Sequence, residues 1–191
     1  MLDTPRFIRL SSHEKYMSTP SQPTRQRPTV TRSGELLQPR IAGLVLRDLA
    51  PCEDERGTLV ELMSSSWEVH PDPMVHSYLV IARPRSIRSW AMHRKQDDRI
   101  AVIHGSLRWG FFDDREGSST RGMLNVFTVS EQRRRLIVIP CGVWHAVENV
   151  GLVDASFINM PSRAYNHEDP DKLLLPLKND LIPFAFGPTP V

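Results

Sequence analysis

The sequence predicts an all-β protein whose strands close into a double-stranded β-helix, the jelly-roll form of a β-barrel. Three observations support this prediction. Short runs of aliphatic and β-branched residues recur after residue 40, at a spacing of roughly 8–12 residues that is typical of sandwiches and barrels. The segments between the runs are polar and contain Gly, Pro or Asp, which favour turns. No helical periodicity separates one run from the next.

The first 38 residues are predicted to be a disordered tail. They are rich in Ser, Thr, Pro, Gln and Arg, and Pro20, Pro23 and Pro28 are too closely spaced for a helix or a central strand. Residues 1–40 contain seven Lys or Arg and three Asp or Glu, a charge of +4 against a total of +2. The remainder is therefore slightly acidic, and a nucleic-acid partner is not indicated.

Residues 39–191 are predicted to form one jelly-roll domain, in which each strand ends at a turn residue. The last part of the domain, after Pro161, is punctuated by proline and is predicted to pack over the sheet. The predicted strands cover residues 41–48, 58–63, 76–82, 99–104, 107–112, 123–129, 136–139 and 155–160.

Composition limits the class of protein. A chain of 191 residues with 40% hydrophobic residues is sufficient for one domain with a core. Cys52 and Cys141 have neither C-x-x-C nor zinc-site spacing, which indicates a reducing compartment. No apolar run approaches the roughly 20 residues that cross a bilayer, and the N-terminus lacks the apolar core of a signal peptide. We therefore predict a cytoplasmic protein without a membrane partner.

Residues 140–149 have the form P-x-G-x-x-H-x-x-x-N. The proline and the glycine turn the chain sharply and deliver His145 onto the inner face of the next strand. This is the later half of the cupin signature. The earlier half is present in part, because His93 is followed by Asp98 at the place of the usual glutamate, while Ala91 takes the place of the first histidine.

These residues leave two kinds of site open. His93 and His145 could act as catalytic groups in a shared cavity. Alternatively, together with Asp98 they could form the two-histidine, one-carboxylate set that holds non-haem iron or manganese. Against the metal site, aspartate reaches one methylene less far than glutamate, and Arg99 next to it is expected to compete for the carboxylate.

Five stretches of the sequence, taken in order, resemble the dTDP-4-dehydrorhamnose 3,5-epimerase family of cupins, and the chain is identified as a divergent member over about residues 41–187. Each stretch alone is a weak signal, and their order makes the combination specific. The stretches are residues 54–61, 88–93, 114–120 and 139–145, and the acidic segment around Tyr165.

The resemblance implies an epimerase or ketoisomerase that acts on a dTDP-linked 4-keto-6-deoxysugar in deoxysugar or polysaccharide biosynthesis. A base removes the proton next to the keto group, and a proton returns from the opposite face. Such chemistry needs a positioned base and a cationic or hydrogen-bonding group at the enolate oxygen, and the family uses no metal or other cofactor.

The resemblance also implies the residues that bind the substrate. Arg56 and Arg88 would hold the diphosphate or the sugar, since the guanidinium fork suits phosphate. Glu61 would help to hold the nucleotide, Tyr165 would stack near the substrate, and Arg99 would replace the lysine found beside the sugar.

The chain departs from the family at both proton-transfer positions. The position of the base is Ala91, and the position of the acidic tyrosine is Asn159, which can hydrogen-bond a substrate oxygen but cannot act as an acid. His93 lies two residues beyond Ala91, on the same strand face and about 7 Å away, and is predicted to be the displaced base. His145 is predicted to share this work.

A catalytically silent sugar-nucleotide-binding protein is the remaining alternative, because the phosphate-side residues persist while the usual acid and base are absent. The resemblance further implies a homodimer, in which an N-terminal strand is exchanged and Glu61 serves the neighbouring subunit.

Overall fold

The computed structural model describes residues 28–33 and 37–187, and it divides the chain into two units, residues 1–38 and 39–191. In the first unit, the backbone N–H of Leu37 donates to the carbonyl oxygen of Thr29 over 3.0 Å. Most of the predicted disordered tail lies outside the described residues, and its disorder stays a prediction.

The described part of the second unit contains two five-stranded antiparallel sheets and one hairpin. The first sheet has the spatial order β1 (Val45–Asp48), β9 (Arg135–Ile139), β6 (Asp98–His104), β11 (Ala155–Asn159) and β4 (Tyr78–Ala82). The second has the order β12 (Leu173–Leu175), β5 (Ile87–Met92), β10 (Val143–Asn149), β7 (Ser106–Asp113) and β8 (Leu124–Ser130). The hairpin joins β2 (Pro51–Asp54) to β3 (Gly57–Val60), and a short 3-10 helix follows at Ser65–Trp67.

This architecture confirms the predicted all-β jelly-roll fold. Strands distant in sequence lie side by side, as β6 does between β9 and β11. The apolar runs form the strands because their β-branched and aromatic side chains pack well on a pleated surface. Within the described residues, no helix has the length and hydrophobicity required to cross a membrane.

The main core lies between the two sheets. Every second residue of β7 points into it, and Leu107, Trp109 and Phe111 are almost fully buried. Trp109 contacts Phe157 of the opposite sheet edge-on, with 5.1 Å between the ring centroids. This arrangement ties β7 to β11 and fixes the spacing of the sheets where the polar residues described below meet.

The C-terminal segment packs against the outer face of the second sheet. Phe186 contacts Trp90 at 5.5 Å between ring centroids, and Ile182 is buried beside them. Gly110 permits this close approach, because a Cβ atom there would lie 2.9 Å from the Trp90 ring. Trp90 and Trp144 both belong to this outer apolar cluster.

Candidate active site

A tight turn brings the start of β10 against the chain that follows β5. Gly142 has a φ of +79°, which glycine adopts without strain, and its N–H donates to the carbonyl oxygen of His93 over 2.7 Å. The predicted turn at residues 140–142 therefore does more than orient the strand that carries His145. It joins the two segments on which His93 and His145 lie.

His93 and His145 converge on one carboxylate oxygen of Asp98, the first residue of β6. Oδ2 of Asp98 lies 3.5 Å from Nε2 of His93 and 3.4 Å from Nε2 of His145. The centroids of the two imidazole rings are 5.8 Å apart, and the ring planes are inclined to each other by 28°. All three side chains are at least largely buried, with exposures of 12%, 11% and 2% for His93, His145 and Asp98.

The other ring nitrogens of the two histidines face backbone carbonyl oxygens. Nδ1 of His93 contacts the carbonyl of Asp171, and Nδ1 of His145 lies 3.2 Å from that of Val143. Because a carbonyl oxygen only accepts hydrogen bonds, Nδ1 carries the hydrogen in each neutral ring. Both Nε2 atoms then carry no hydrogen in the neutral rings, and both lie near Oδ2 of Asp98.

Burial lowers the pKa of His145 below its ordinary value, although the charge of Asp98 acts in the opposite direction. The neutral imidazole is consequently the prevailing form near neutral pH. A neutral imidazole with a free Nε2 lone pair is the form that a general base requires.

The second oxygen of Asp98 is held by amide groups. Nδ2 of Asn159 donates to Oδ1 over 3.1 Å. Nε2 of Gln96 donates to the same oxygen over 3.2 Å. The Asn159 amide also donates to the hydroxyl oxygen of Tyr78 over 2.8 Å. Burial and the charge of Asp98 raise the pKa of Tyr78 above its ordinary value, so its hydroxyl stays protonated at neutral pH.

Two adjoining cavities give access to this cluster. The inner one, of about 340 Å³, is lined by the three clustered residues and by Arg88, Ser89 and Ala91, among others. The outer cleft, of about 790 Å³, is lined by Tyr165, Arg163 and Lys95, among others. Tyr78, His93 and Lys172 line both cavities. A ligand could therefore place one end against the histidines and the other in the outer cleft.

The structure brings several predicted site residues to these cavities. Arg88 and Asn159 line the inner cavity, and Tyr165 lines the outer cleft beside His167. The Arg88 guanidinium has no hydrogen-bond or ion-pair partner within the residues that the structure describes. It is therefore available to an anionic ligand.

Arg99 differs from its predicted role of substrate binding. Its fully buried guanidinium donates to the backbone carbonyls of Met160, Pro161, Asp72 and Pro73, at 2.6 to 3.1 Å. It lines neither cavity and does not pair with Asp98, so the expected competition for that carboxylate is absent. Successive residues of a strand point to opposite faces, which is why Arg99 and Asp98 diverge.

Arg56 and Glu61 lie away from both cavities of a single chain. Arg56 sits at the exposed turn of the β2–β3 hairpin, where it pairs with Asp54. Glu61 follows the same hairpin and is also exposed.

Two residues that line both cavities, Tyr78 and Lys172, were not predicted from the sequence. Tyr78 begins a strand with no motif around it, and its partner Asn159 is 81 residues away in sequence. Lys172 precedes β12 in the proline-rich segment. The one local signal was the mostly charged stretch 168–172 shortly after Tyr165, which is typical of an exposed loop rather than a core segment.

No family model matches the chain. Individual proteins of known sequence do match it. A protein of Haloferax volcanii named as a probable low-salt glycan biosynthesis epimerase, Agl13, is 35% identical over 139 residues, which cover 72% of this chain and 89% of the relative. The Bacillus subtilis spore coat polysaccharide biosynthesis protein SpsL is 28% identical over 147 residues, covering 77% of this chain and 97% of the relative.

Among solved structures, a dTDP sugar isomerase of Desulfovibrio desulfuricans G20 superposes with a TM-score of 0.71 at 23% identity. The match covers 76% of this chain and 91% of the other. At this level of identity the similarity concerns the fold.

Proposed function

Since the chain belongs to the dTDP-4-dehydrorhamnose 3,5-epimerase family of cupins, we propose that it inverts a carbon next to the 4-keto group of a dTDP-linked 6-deoxysugar used in glycan synthesis. The observation that carries the proposal is the convergence of two histidine Nε2 atoms on Asp98 at the wall of the inner cavity. The base absent at Ala91 is replaced by this cluster.

The first step is removal of the proton α to the ketone. The His93–Asp98–His145 cluster accepts this proton on an Nε2 atom, and the Asp98 carboxylate stabilises the imidazolium that forms. The carbonyl groups of Asp171 and Val143 keep each ring in the orientation that presents Nε2. Positioned bases of this kind typically contribute about 100-fold to 10,000-fold to a rate.

The negative charge that develops on the enolate oxygen needs a nearby cation. Arg88 and Lys172 both line the inner cavity, and neither side chain has an ion-pair partner among the described residues. In our proposal the sugar occupies the inner cavity, while the diphosphate and the nucleoside extend into the outer cleft towards Arg163 and Tyr165. Cations in a site that excludes water stabilise such charge more strongly than they would in bulk water.

We further propose that the protein acts as a homodimer in the cytoplasm. Arg56 and Glu61 would then complete the site of the neighbouring subunit. Exposed apolar side chains on the hairpin and on the edge strand β4 support a buried interface there, with exposures of 66% for Leu59, 59% for Leu79 and 54% for Ile81. Two unpaired cysteines, Cys52 and Cys141, agree with a reducing compartment.

The test is solvent exchange. The protein is incubated in D2O with dTDP-4-keto-6-deoxyglucose, and deuterium at C-3 and C-5 is followed by NMR and mass spectrometry. We expect exchange in the wild type, and a loss of about 100-fold or more in His93→Asn and in His145→Asn. His104→Asn is the matched control, because His104 pairs with Glu131 outside the site. Tight dTDP binding without exchange would identify a silent binding protein instead.

A metal-dependent cupin is a second candidate function. The donor atoms of His93, Asp98 and His145 lie within 4.8 Å of one another, and the Nε2 atoms of the two histidines lie 3.5 Å and 3.4 Å from Oδ2 of Asp98. This donor set suits a divalent transition metal. Protein purified without chelator would then contain about one such ion per chain, and Asp98→Asn would lose it. Exchange that survives EDTA in metal-free protein would exclude this candidate.

A further inference from the structure

Tyr78 lies on the wall of the inner cavity opposite the histidines. It begins β4, in the first sheet, whereas His145 is on β10 and His93 follows β5, both in the second sheet. In the β4–β11 ladder, Tyr78 is directly paired with Asn159. Asn159 occupies the position where the family has its acidic tyrosine. The phenol of Tyr78 therefore reaches the cavity from β4, the neighbour of strand β11, on which Asn159 stands in place of the tyrosine.

The charge of Asp98 sets the direction of the hydrogen bond between Asn159 and Tyr78. The carboxylate oxygen can only accept, so Asn159 must present its NH2 group to Asp98, and the second hydrogen of that group goes to the Tyr78 hydroxyl oxygen. The amide oxygen of Asn159 is buried with no hydrogen-bond partner in the described structure. Leaving that oxygen without a partner costs free energy, which indicates that the neighbours impose the orientation.

This orientation leaves the hydrogen of the Tyr78 hydroxyl unused. The hydroxyl oxygen accepts from Asn159, and no acceptor for its hydrogen is found within the described residues. Tyr78 lines both cavities and is 42% exposed. Its hydroxyl hydrogen can therefore point towards a ligand, and the side chain can exchange protons with water in the outer cleft.

We propose that Tyr78 is the general acid that completes the epimerisation, by donating its proton to the carbon from the face opposite the histidines. This inference rests on the proposed function. The histidine cluster takes the α-proton and leaves the electron pair in the enolate. That pair forms the new C–H bond with the Tyr78 proton. The phenolate then takes a proton from water in the outer cleft, and the imidazolium returns one to water.

The arrangement of the walls explains why this step inverts the carbon. A proton that leaves towards the second sheet and returns from the first arrives on the other face of the sugar. Without the Tyr78 hydroxyl, the enolate can still be protonated by the histidine cluster, from the face where the proton left. Exchange with solvent would then continue while the configuration stays the same.

The experiment compares exchange with inversion in the wild type and in Tyr78→Phe, which keeps the ring and removes the hydroxyl. Both proteins are incubated in D2O with dTDP-4-keto-6-deoxyglucose. NMR measures deuterium at C-3 and C-5 and, separately, the amount of epimerised sugar. We expect inversion to fall by about 100-fold or more in Tyr78→Phe, while exchange stays within a few-fold of the wild type.

A purely structural role for Tyr78 would lower both quantities together, and that result would overturn the proposal. Inversion at the wild-type rate in Tyr78→Phe would also overturn it, while leaving the proposed function intact. A wild type that neither exchanges nor inverts would remove the proposed function, and the acid with it. Circular dichroism of the variant confirms that it is folded, as the exposure of the side chain leads us to expect.

Discussion

The backbone N–H of Gly142 donates a hydrogen bond of 2.7 Å to the carbonyl oxygen of His93. This hydrogen bond holds the turn before β10 against the end of β5. The distance between His93 and His145 therefore depends on a glycine that is three residues before His145 and far from His93 in sequence. The geometry of the cluster is thus set by the backbone as much as by the side chains that compose it.

We expect Gly142→Ala to reduce exchange activity by about tenfold or more. Its φ of +79° is unfavourable for alanine, and the new Cβ would lie 2.8 Å from Cγ of Arg115. A misplacement of about 1 Å can cost about 100-fold in rate. Gly117→Ala is the control, since Gly117 has a φ of +76° and open space at its Cβ. Equal activity losses in both variants would show that the turn does not position the histidines.

The activity should also depend on the protonation of His145. Because burial lowers its pKa, we expect the rate to stay level from neutral pH down past the ordinary histidine value of 6.5, and to fall only below it. Asp98→Asn removes a charge that raises this pKa, so its acid limb should move to still lower pH, at a reduced maximal rate. The pH profiles of both proteins are compared with that of Glu131→Gln, which alters a remote carboxylate. An acid limb above pH 6.5 in the wild type would contradict the assignment.

Arg88 and Arg99 should respond to substitution in opposite ways. Arg88→Ala is expected to weaken dTDP-sugar binding by about 10-fold to 100-fold, since it removes charge-assisted hydrogen bonds worth about 1.5–3 kcal/mol. Its thermal unfolding should be unchanged. Arg99→Met strips the donors from four backbone carbonyls and should lower the free energy of unfolding by at least about 3 kcal/mol. Calorimetric titration and thermal denaturation of both variants measure the two effects.

The loop after β7 should make stability depend on acid pH. Burial raises the pKa of Asp113, but hydrogen bonds from Arg115, Ser118 and Thr120 outweigh it and hold the pKa well below the ordinary 3.8. The stabilisation is therefore complete above pH 3.8 and is lost as the pH falls below that value.

Asp113→Asn should lower the free energy of unfolding at neutral pH by about 2 kcal/mol and flatten its dependence on acid pH. Asp54→Asn, in an exposed pair, should change little. Urea unfolding between pH 2 and pH 7 makes the comparison. Parallel pH dependences for the wild type and Asp113→Asn would exclude this carboxyl as the cause.

Much of the fold could be predicted because strand formation is encoded locally. Each strand is indicated by its own short run of apolar residues, and the turn at Gly142 is indicated by the tripeptide at residues 140–142. The meeting of His93, Asp98 and His145 could be foreseen only from the order of motifs, because four strands separate the two histidines along the chain.

The rest of the site depends on facts that no short stretch contains. The side chain of Arg99 points away from the cavity because that of Asp98 points towards it, and successive side chains of a strand point to opposite faces. Asn159 was identified by position, but the hydroxyl that it holds belongs to a strand 81 residues earlier. The pairing of β4 with β11 is decided by the assembly of the whole sheet, so Tyr78 could not be singled out beforehand.

The contact between Nδ1 of His93 and the carbonyl oxygen of Asp171 affects how substitutions at position 171 are to be interpreted. Every amino acid supplies the same carbonyl group, so no side-chain substitution at position 171 deletes this acceptor. A mutational scan would report only on the Asp171 carboxylate, which accepts from the backbone N–H groups of Arg94 and Lys95. The Asp171 carbonyl group, which selects the tautomer of His93, therefore cannot be removed by replacing a side chain. Replacing an amide by an ester in the main chain, or shifting the segment by insertion, would be needed to expose its contribution.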